Sequence, residues 1–209
     1  MIRVILVVLL AIGFTAIVEV VARKHHLPAE LTRKIIHITG GTAAAATPWF
    51  LSWNQIVALA IIMLLIMMAS RHLGLFKTSR SVNRASLGEL LVAVSIGIVA
   101  IITHDRLIFA AAILEMGLAD GLAAIVGTYY GKKTGYKVFG RQKSLAGSGA
   151  FYACSLSILF WYLLASHTNG NWSVLIWLPF VATGLEAISI DGTDNLIVPI
   201  VVTLILNRL

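Results

Sequence analysis

Charge is scarce in this chain: only 12% of its 209 residues are Asp, Glu, Lys or Arg, against about 25% in soluble domains. Hydrophobic residues make up 59%, and the mean hydropathy reaches +0.92. Together these values exclude a hidden soluble catalytic domain and identify a polytopic membrane protein. Cysteine is scarcer still. The single Cys154, inside the apolar run 151–164, excludes an intrachain disulfide framework and a cysteine-built metal site, and reads as packing. Internal repeats and low-complexity tracts are missing as well, which argues against the inverted-repeat architecture of many secondary transporters.

What is there is a series of apolar runs. Hydropathy predicts spans near 2–22, 35–51, 54–70, 87–103, 107–127, 149–166, 172–190 and 195–207. The last is short and begins near Pro199, so the expectation is an all-α bundle of seven or eight transmembrane helices, one integral membrane domain over residues 1–209. The first run resembles a signal peptide in length, but it lacks a convincing small-x-small cleavage site before Arg23 and is read as a retained span. Basic residues sort by connection: Arg23, Lys24, Arg33 and Lys34 in the first, Arg71, Lys77, Arg80 and Arg84 in the third, and Lys132, Lys133, Lys137, Arg141 and Lys143 in the fifth. Only Arg3, Arg106 and Arg208 fall on the other side. The positive-inside rule makes those three connections cytoplasmic and puts the N-terminus outside. The net charge of +7 is then a topology signal, favoured by the anionic headgroups of the lipid bilayer, and not a nucleic-acid footprint.

The few acids are placed as unevenly as the bases. Glu30, Glu89, Asp120, Glu186, Asp191 and Asp194 fall at or near predicted cytoplasmic ends, and Asp105 alone belongs to an external turn. Glu115 and Asp120 lie within an apolar helix, where an ionised carboxylate costs about 2.5 to 3.5 kcal/mol even on lenient insertion scales. The five lysines and arginines of the fifth connection follow within a few turns, so carboxylates and cations can converge near one membrane face, as Mg²⁺ and a polyphosphate require. Five residues separate Glu115 from Asp120, roughly 140° around a helix, so both cannot reach one ion unless the helix unwinds at Gly117 or Gly121. Asp120, nearer the basic stretch, is the metal-side carboxylate on this reading. Glu115 stays open between a polar substrate-site residue and a buried structural pair.

Four other segments carry polar groups that an apolar bundle does not need. Gly127 to Thr134 imitates a phosphate loop but lacks the four-residue glycine spacing and the preceding strand of a P-loop. Lys143-Ser144-Leu145-Ala146-Gly147-Ser148-Gly149 is better placed, since a cation, two hydroxyls and two glycines open the next span, and a helix N-terminus is an anion site. An ordinary N-cap with a snorkelling lysine is the plainer account of the same residues. Arg33, Lys34 and His37 open the second span, with Arg33 and His37 on one face, and Glu89 sits in the first turn of the fourth. Near the C-terminus, Glu186, Asp191, Thr193, Asp194 and Asn195 surround a glycine turn whose spacing does not match an EF-hand. A solvated turn explains most of these, but not the intramembrane Glu186.

With these segments assembled, the chain resembles the CTP-dependent lipid-alcohol kinases: dolichol kinase, phytol kinase and the yeast-type diacylglycerol kinase, relatives of the phosphatidate cytidylyltransferases. The resemblance covers most of the chain and rests on Arg33-Lys34-x-x-His37, Ser86-Leu87-Gly88-Glu89, Ala119-Asp120-Gly121 through Gly127 and Gly131, Lys143-Ser144 through Gly147-Ser148, and Glu186 through Asp194-Asn195 and Pro199, in family order. It implies a multi-pass membrane enzyme with a cytoplasmic-face CTP site, Mg²⁺ dependence and a membrane isoprenoid or glyceride alcohol as acceptor. Under it, Asp120 with Asp191, Asp194 and Asn195 holds Mg²⁺. Lys143, Ser144, Gly147, Ser148, Gly121, Gly127, Arg33 and Lys34 surround the nucleotide, and Glu186 or His37 orients the acceptor hydroxyl or takes its proton. The nearest rival is nucleotidyl transfer to phosphatidic acid, followed by an ion-coupled transporter using Glu115, Asp120 and Glu186. A dianionic acceptor calls for extra cations, yet no Lys or Arg occurs between Lys143 and Arg208, which favours the kinase. Nothing in the sequence excludes a homo-oligomer, and nothing in it selects one lipid alcohol over another.

Overall fold

Two glycines set a direct helix crossing in the protein. A Cβ placed on Gly41 would lie 2.6 Å from the Cα of Gly117, and one on Gly117 would lie 2.7 Å from the Cα of Gly41, so two helical backbones touch there directly. The structure, a computed structural model, describes residues 1–73, 87–166 and 172–209. Lys77, Arg80, Arg84 and Ser86 of the sequence reading lie outside the described residues.

The described residues are almost entirely helical: α1 (Ile2–Lys24), α2 (Ala29–Ala45), α3 (Trp53–Leu73), α4 (Gly88–Ile102), α5 (Arg106–Leu114), a π-helical turn (Glu115–Ala119), α6 (Asp120–Tyr130), α7 (Leu145–Ser166), α8 (Val174–Ile188) and α9 (Asp194–Leu206). Among the described residues, four stretches are long and apolar enough to cross a membrane: Ile2–Lys24, Trp53–Ser70, Arg106–Lys133 and Leu145–Ser166. Gly88–Ile102, Val174–Ile188 and Asp194–Leu206 are shorter apolar helices. α9 continues through Pro199, whose carbonyl accepts a hydrogen bond from Thr203 Oγ1 at 2.7 Å. The second expected span is shifted: it was read as 35–51, but the helix runs from Ala29 to Ala45, because Pro28 precompensates its start and a 3₁₀ turn with Pro48 follows its end. Glu30, Arg33 and Lys34 are therefore inside α2 with His37, not ahead of it.

The α5–α6 stretch is the centre of the bundle. Its apolar window is 72% buried, whereas that of α1 is 11% buried, so the first is a core element and the second presents most of its surface outward. Asp105 starts it, its carboxylate accepting from the backbone N–H groups of Leu107 and Ile108 at 2.7 and 3.0 Å. Phe109, Ile113 and Met116 from this stretch, Phe151 and Leu159 from α7, Leu178 from α8 and Val202 from α9 are all buried in one core. The π turn inserts where the chain carries Glu115, Gly117 and no β-branched residue, and it is the turn that Gly41 of α2 abuts.

One element departs from an all-helical reading. Residues expected to form a basic loop fold as a hairpin, β1 (Gly135–Val138) paired antiparallel with β2 (Arg141–Ser144), with Gly135 opposite Ser144 and Val138 opposite Arg141. Phe139 and Gly140 at its tip both have positive φ, 47° and 76°, the two-residue geometry whose twist matches paired strands. The fold is otherwise all-α, as expected.

The glycine crossing yields a stability prediction. Gly41→Val should lower the melting temperature of detergent-solubilised protein by the equivalent of about 1 to 3 kcal/mol or more, because a branched side chain must displace the π turn. Gly40→Val, one residue away on the same helix with nothing within 4 Å of its Cβ position, should leave the melting temperature nearly unchanged.

Candidate active site

Three carboxylates from three helices converge at one end of the bundle. Asp120 opens α6, Glu186 lies in the last turn of α8 and Asp194 begins α9, and one oxygen of each lies within 4.8 Å of the others. Asp120 and Glu186 are buried, and Asp194 is half-buried. Concentrating three negative groups in a low-dielectric end of a bundle requires nearby cations. Two lysines supply them. Lys34 of α2 donates to Asp120 Oδ2 at 2.9 Å, and Lys143 of β2 donates both to Glu186 Oε1 and, at 2.9 Å, to the Glu186 carbonyl. His37, one turn after Lys34, places Nε2 3.0 Å from the Met116 carbonyl and 3.3 Å from Asp120 Oδ2. Both neighbours accept, so Nε2 carries the hydrogen and orients Asp120.

The third carboxylate is held by a turn. Asp191 and Gly192 both have positive φ, 53° and 88°, and a Cβ on Gly192 would collide with the backbone of Gly88 at the start of α4. Asn195 reinforces that contact, its Nδ2 donating to the Gly88 carbonyl at 3.1 Å. Asp194 is thereby pinned between two helix ends with Oδ1 accepting from the Asn195 N–H at 3.0 Å, and it has no lysine or arginine partner among the described residues. Three carboxylates against two ammonium groups leave one net negative charge. The oxygen donors, their spacing and that residual charge fit a hard divalent cation such as Mg²⁺. Asn195 Oδ1, buried without a hydrogen-bond partner and next in chain to Asp194, adds a neutral oxygen to the region.

The structure redistributes several residues of the sequence reading. Asp191 does not join the cluster; it is mostly exposed and pairs with Arg141. Glu186, read as a hydroxyl-orienting residue, takes its place among the three carboxylates. Arg33 is bonded to Glu30 of its own helix at 3.0 and 2.6 Å and interacts with Asp120 only through its charge. Gly121 and Gly127 are packing positions: a Cβ on Gly121 would strike Ile38 of α2, and one on Gly127 would lie 3.1 Å from Ser144 Oγ and 3.6 Å from the Gly147 Cα. Ser144 caps α7 by accepting from the Gly147 N–H at 3.1 Å, the Leu145 N–H donates to the Thr134 carbonyl at 2.9 Å, and Ser148 Oγ shares a 2.7 Å hydrogen bond with Tyr136. Two first-turn amides are thus used inside the protein, so the turn from Ser144 to Ser148 is a capped hinge between hairpin and helix more than an open anion cradle. Glu89 is half-buried in the first turn of α4. Glu115 belongs to a different place: fully buried, it bonds Ser155 Oγ of α7 at 2.8 Å, facing away from the cluster. A π-helical turn, Glu115–Ala119, separates it from Asp120, so the 3.6-residue angle worked out from the sequence does not describe the stretch between them.

The comparisons with known proteins bear on this arrangement. Phytol kinase of Synechocystis sp. (strain ATCC 27184 / PCC 6803 / Kazusa) is 34% identical over 190 residues, which cover 87% of this chain and 80% of the relative. The chain belongs to the lipid-alcohol kinase family. It is therefore a phosphotransferase acting on the hydroxyl of a lipid alcohol in a membrane. No family model matches the chain, and no solved structure does.

The site of this lipid-alcohol kinase family member thus brings carboxylates, lysines and apolar helices together. Two of its contacts escaped sequence reasoning. Lys34 was read as lying in a connection, and its partner Asp120 is 86 positions away. Gly88, read as part of a motif, is the seat of the Gly192 turn. The signal for the first was present, since a lysine one turn before an intramembrane histidine needs a countercharge.

The ion pairs predict non-additive stability effects. Lys143→Met should destabilise the solubilised protein by about 3 to 5 kcal/mol, because it strands the Glu186 carboxylate. Adding Glu186→Gln to the same chain should restore most of the lost melting temperature, and thermal melts of the two single variants and the double variant measure the coupling.

Proposed function

We propose that this kinase transfers the γ-phosphoryl group of CTP to the hydroxyl of an isoprenoid alcohol, phytol being the first candidate, at the cytoplasmic face of a cell membrane. The observation that carries the reading is the cluster of Asp120, Glu186 and Asp194 with its residual negative charge between Lys34 and Lys143. The relative's name supports the acceptor class. The family resemblance supports CTP, and the concentration of Lys132, Lys133, Lys137, Arg141 and Lys143 around the hairpin supports the cytoplasmic side.

In phosphoryl transfer, charge is spread over the equatorial oxygens while attacking and leaving oxygens stand in line, so positioning and charge neutralisation supply most of the catalysis. Asp120, Glu186 and Asp194 would hold Mg²⁺, which when bound neutralises charge on the triphosphate oxygens. Lys34 uses one of its three N–H donors on Asp120, and Lys143 uses two on Glu186. The donors left over are available to phosphate oxygens. His37 keeps Asp120 in its rotamer through Nε2. Asp194, which makes no salt bridge among the described residues, would give one oxygen to the cation and offer the other to the acceptor hydroxyl, receiving its proton as the new P–O bond forms and the bond to the CDP leaving group breaks. Burial of Asp120 and Glu186 restricts water around the cluster, which limits hydrolysis of the nucleotide.

The test uses purified protein in lipid vesicles with labelled CTP and ATP in parallel, and phytol, geranylgeraniol, a polyprenol and diacylglycerol as acceptors. Mass spectrometry should find an alcohol monophosphate and CDP. A CDP-lipid with pyrophosphate would establish nucleotidyl transfer instead. Asp120→Asn, Glu186→Gln and Asp194→Asn should each reduce kcat at least a hundredfold, and chelation of divalent cations should abolish turnover until Mg²⁺ is restored. Normal turnover in all three variants would sink the site.

A further inference from the structure

A groove runs along the bundle beside the carboxylate cluster, between the first turns of α2 and the second half of α6. Its volume is about 180 Å³, and Pro28, Leu31, Ala124, Ile125 and Tyr129 line it together with Glu30, Lys34 and Thr128. Its outer rim is open, since Tyr129 is 57% exposed. Lys34, only 7% exposed, is part of this lining, and its ammonium group is bonded to Asp120. The groove is thus mostly apolar, and Lys34 links it by one hydrogen bond to the carboxylate cluster.

We infer that this groove seats the head of the acceptor alcohol, the hydroxyl at Lys34 and the first branched carbons between α2 and α6. The assignment rests on the kinase reading and deepens it by naming the acceptor's subsite. Three features select this occupant. A nucleotide would meet mostly apolar surface and the acid Glu30 there. An acyl tail has no use for the lysine in the lining, whereas a hydroxyl oxygen accepts one of the two N–H donors that Lys34 does not direct at Asp120. The exposed Tyr129 and Tyr130 mark the rim as a membrane–water boundary, where the hydroxyl of a lipid alcohol resides. At about 30 Å³ for each water-sized group, the groove takes about six such groups, so it reads the head of the chain and leaves the remainder to the bilayer.

Labelling and kinetics together test this. Wild-type protein in vesicles, without nucleotide, is irradiated with a short isoprenoid alcohol carrying a diazirine near the hydroxyl. Cross-links should fall in the peptides containing residues 28–34 and 124–129 and disappear with excess geranylgeraniol. Ala124→Phe, which fills the groove, should raise the acceptor KM about tenfold while the nucleotide KM stays within twofold. Ile61→Phe, on the exposed face of α3, should change neither. Lengthening the alcohol beyond the first few isoprene units should not alter the acceptor KM. Labelling elsewhere, labelling that excess alcohol fails to displace, cross-links only between two copies of the chain, or a rise in the nucleotide KM alone would overturn the assignment. Displaceable labelling of the groove in a protein that makes no alcohol monophosphate would instead uphold the groove and refute the kinase mechanism.

Discussion

The rest of the structure depends on the compensation of buried carboxylates by lysines that come from elsewhere in the chain. Asp120 cannot stand alone at the start of α6, and the cation that makes it tolerable is on α2. Glu186 cannot stand alone at the end of α8, and its cation is on the hairpin. Each pairing ties an element to one distant in sequence, so the ionic requirement of the site doubles as a constraint on the assembly of α2, α6, α8 and β2. This also explains the presence of a hairpin in a helical protein. β2 has to present Lys143 toward α8 while Ser144 immediately begins α7, and an extended strand does both in four residues where another turn of helix would point the lysine along α7.

Close backbone contact is the second condition, and it serves the first. Lys34 and His37 reach Asp120 only if α2 and the α5–α6 stretch cross tightly. The direct meeting of Gly41 with Gly117, continued by Ile38 against Gly121, brings them that close. In lipid, no hydrophobic driving force favours this crossing over any other, so small residues and polar pairs must define it. The π turn at Glu115–Ala119 sits at the crossing and sends Glu115 toward α7 while Asp120 faces α2. Glu115 therefore acts as a polar tie to Ser155 at the back of the site, a different task from that of the carboxylate five residues on.

Much of this was legible in the sequence, and the exceptions have physical causes. The membrane class and the helical fold follow from hydropathy, a local property, whereas Glu115 and Asp120 are separated by a π turn that the 3.6-residue period did not anticipate. The start of α2 was misplaced because its charged first turns lower its hydropathy, so the window slid toward the apolar residues after Ile35. The hairpin was missed because its strands have four residues and its tip is Phe-Gly, without the Asn-Gly or Asp-Gly signal. Partner choice was least legible. Asp191 and Glu186 are both acids near the same turn, and only the fold reveals that Arg141 takes the first and Lys143 the second. Gly121 and Gly127 looked like ligand-facing glycines, but a glycine that admits a neighbouring helix and one that admits a phosphate have the same sequence.

The position of Lys34 connects these constraints to the chemistry. A lipid-alcohol kinase must join a substrate that partitions into hydrocarbon to one that stays in water, and neither can cross far into the other's medium. The reaction therefore belongs at a boundary, where an apolar channel and a charged cluster share a wall. Lys34 has the two surfaces such a wall requires: an aliphatic stem along Pro28, Leu31 and Ile125, and an ammonium group on Asp120. An arginine there would bring a planar, bidentate fork that satisfies Asp120 with two donors and holds it more rigidly. A compact ammonium with three rotatable donors can keep one on the carboxylate and offer the others to an alcohol or a phosphate oxygen, so the residue that stabilises the buried carboxylate is also the one suited to receive both substrates.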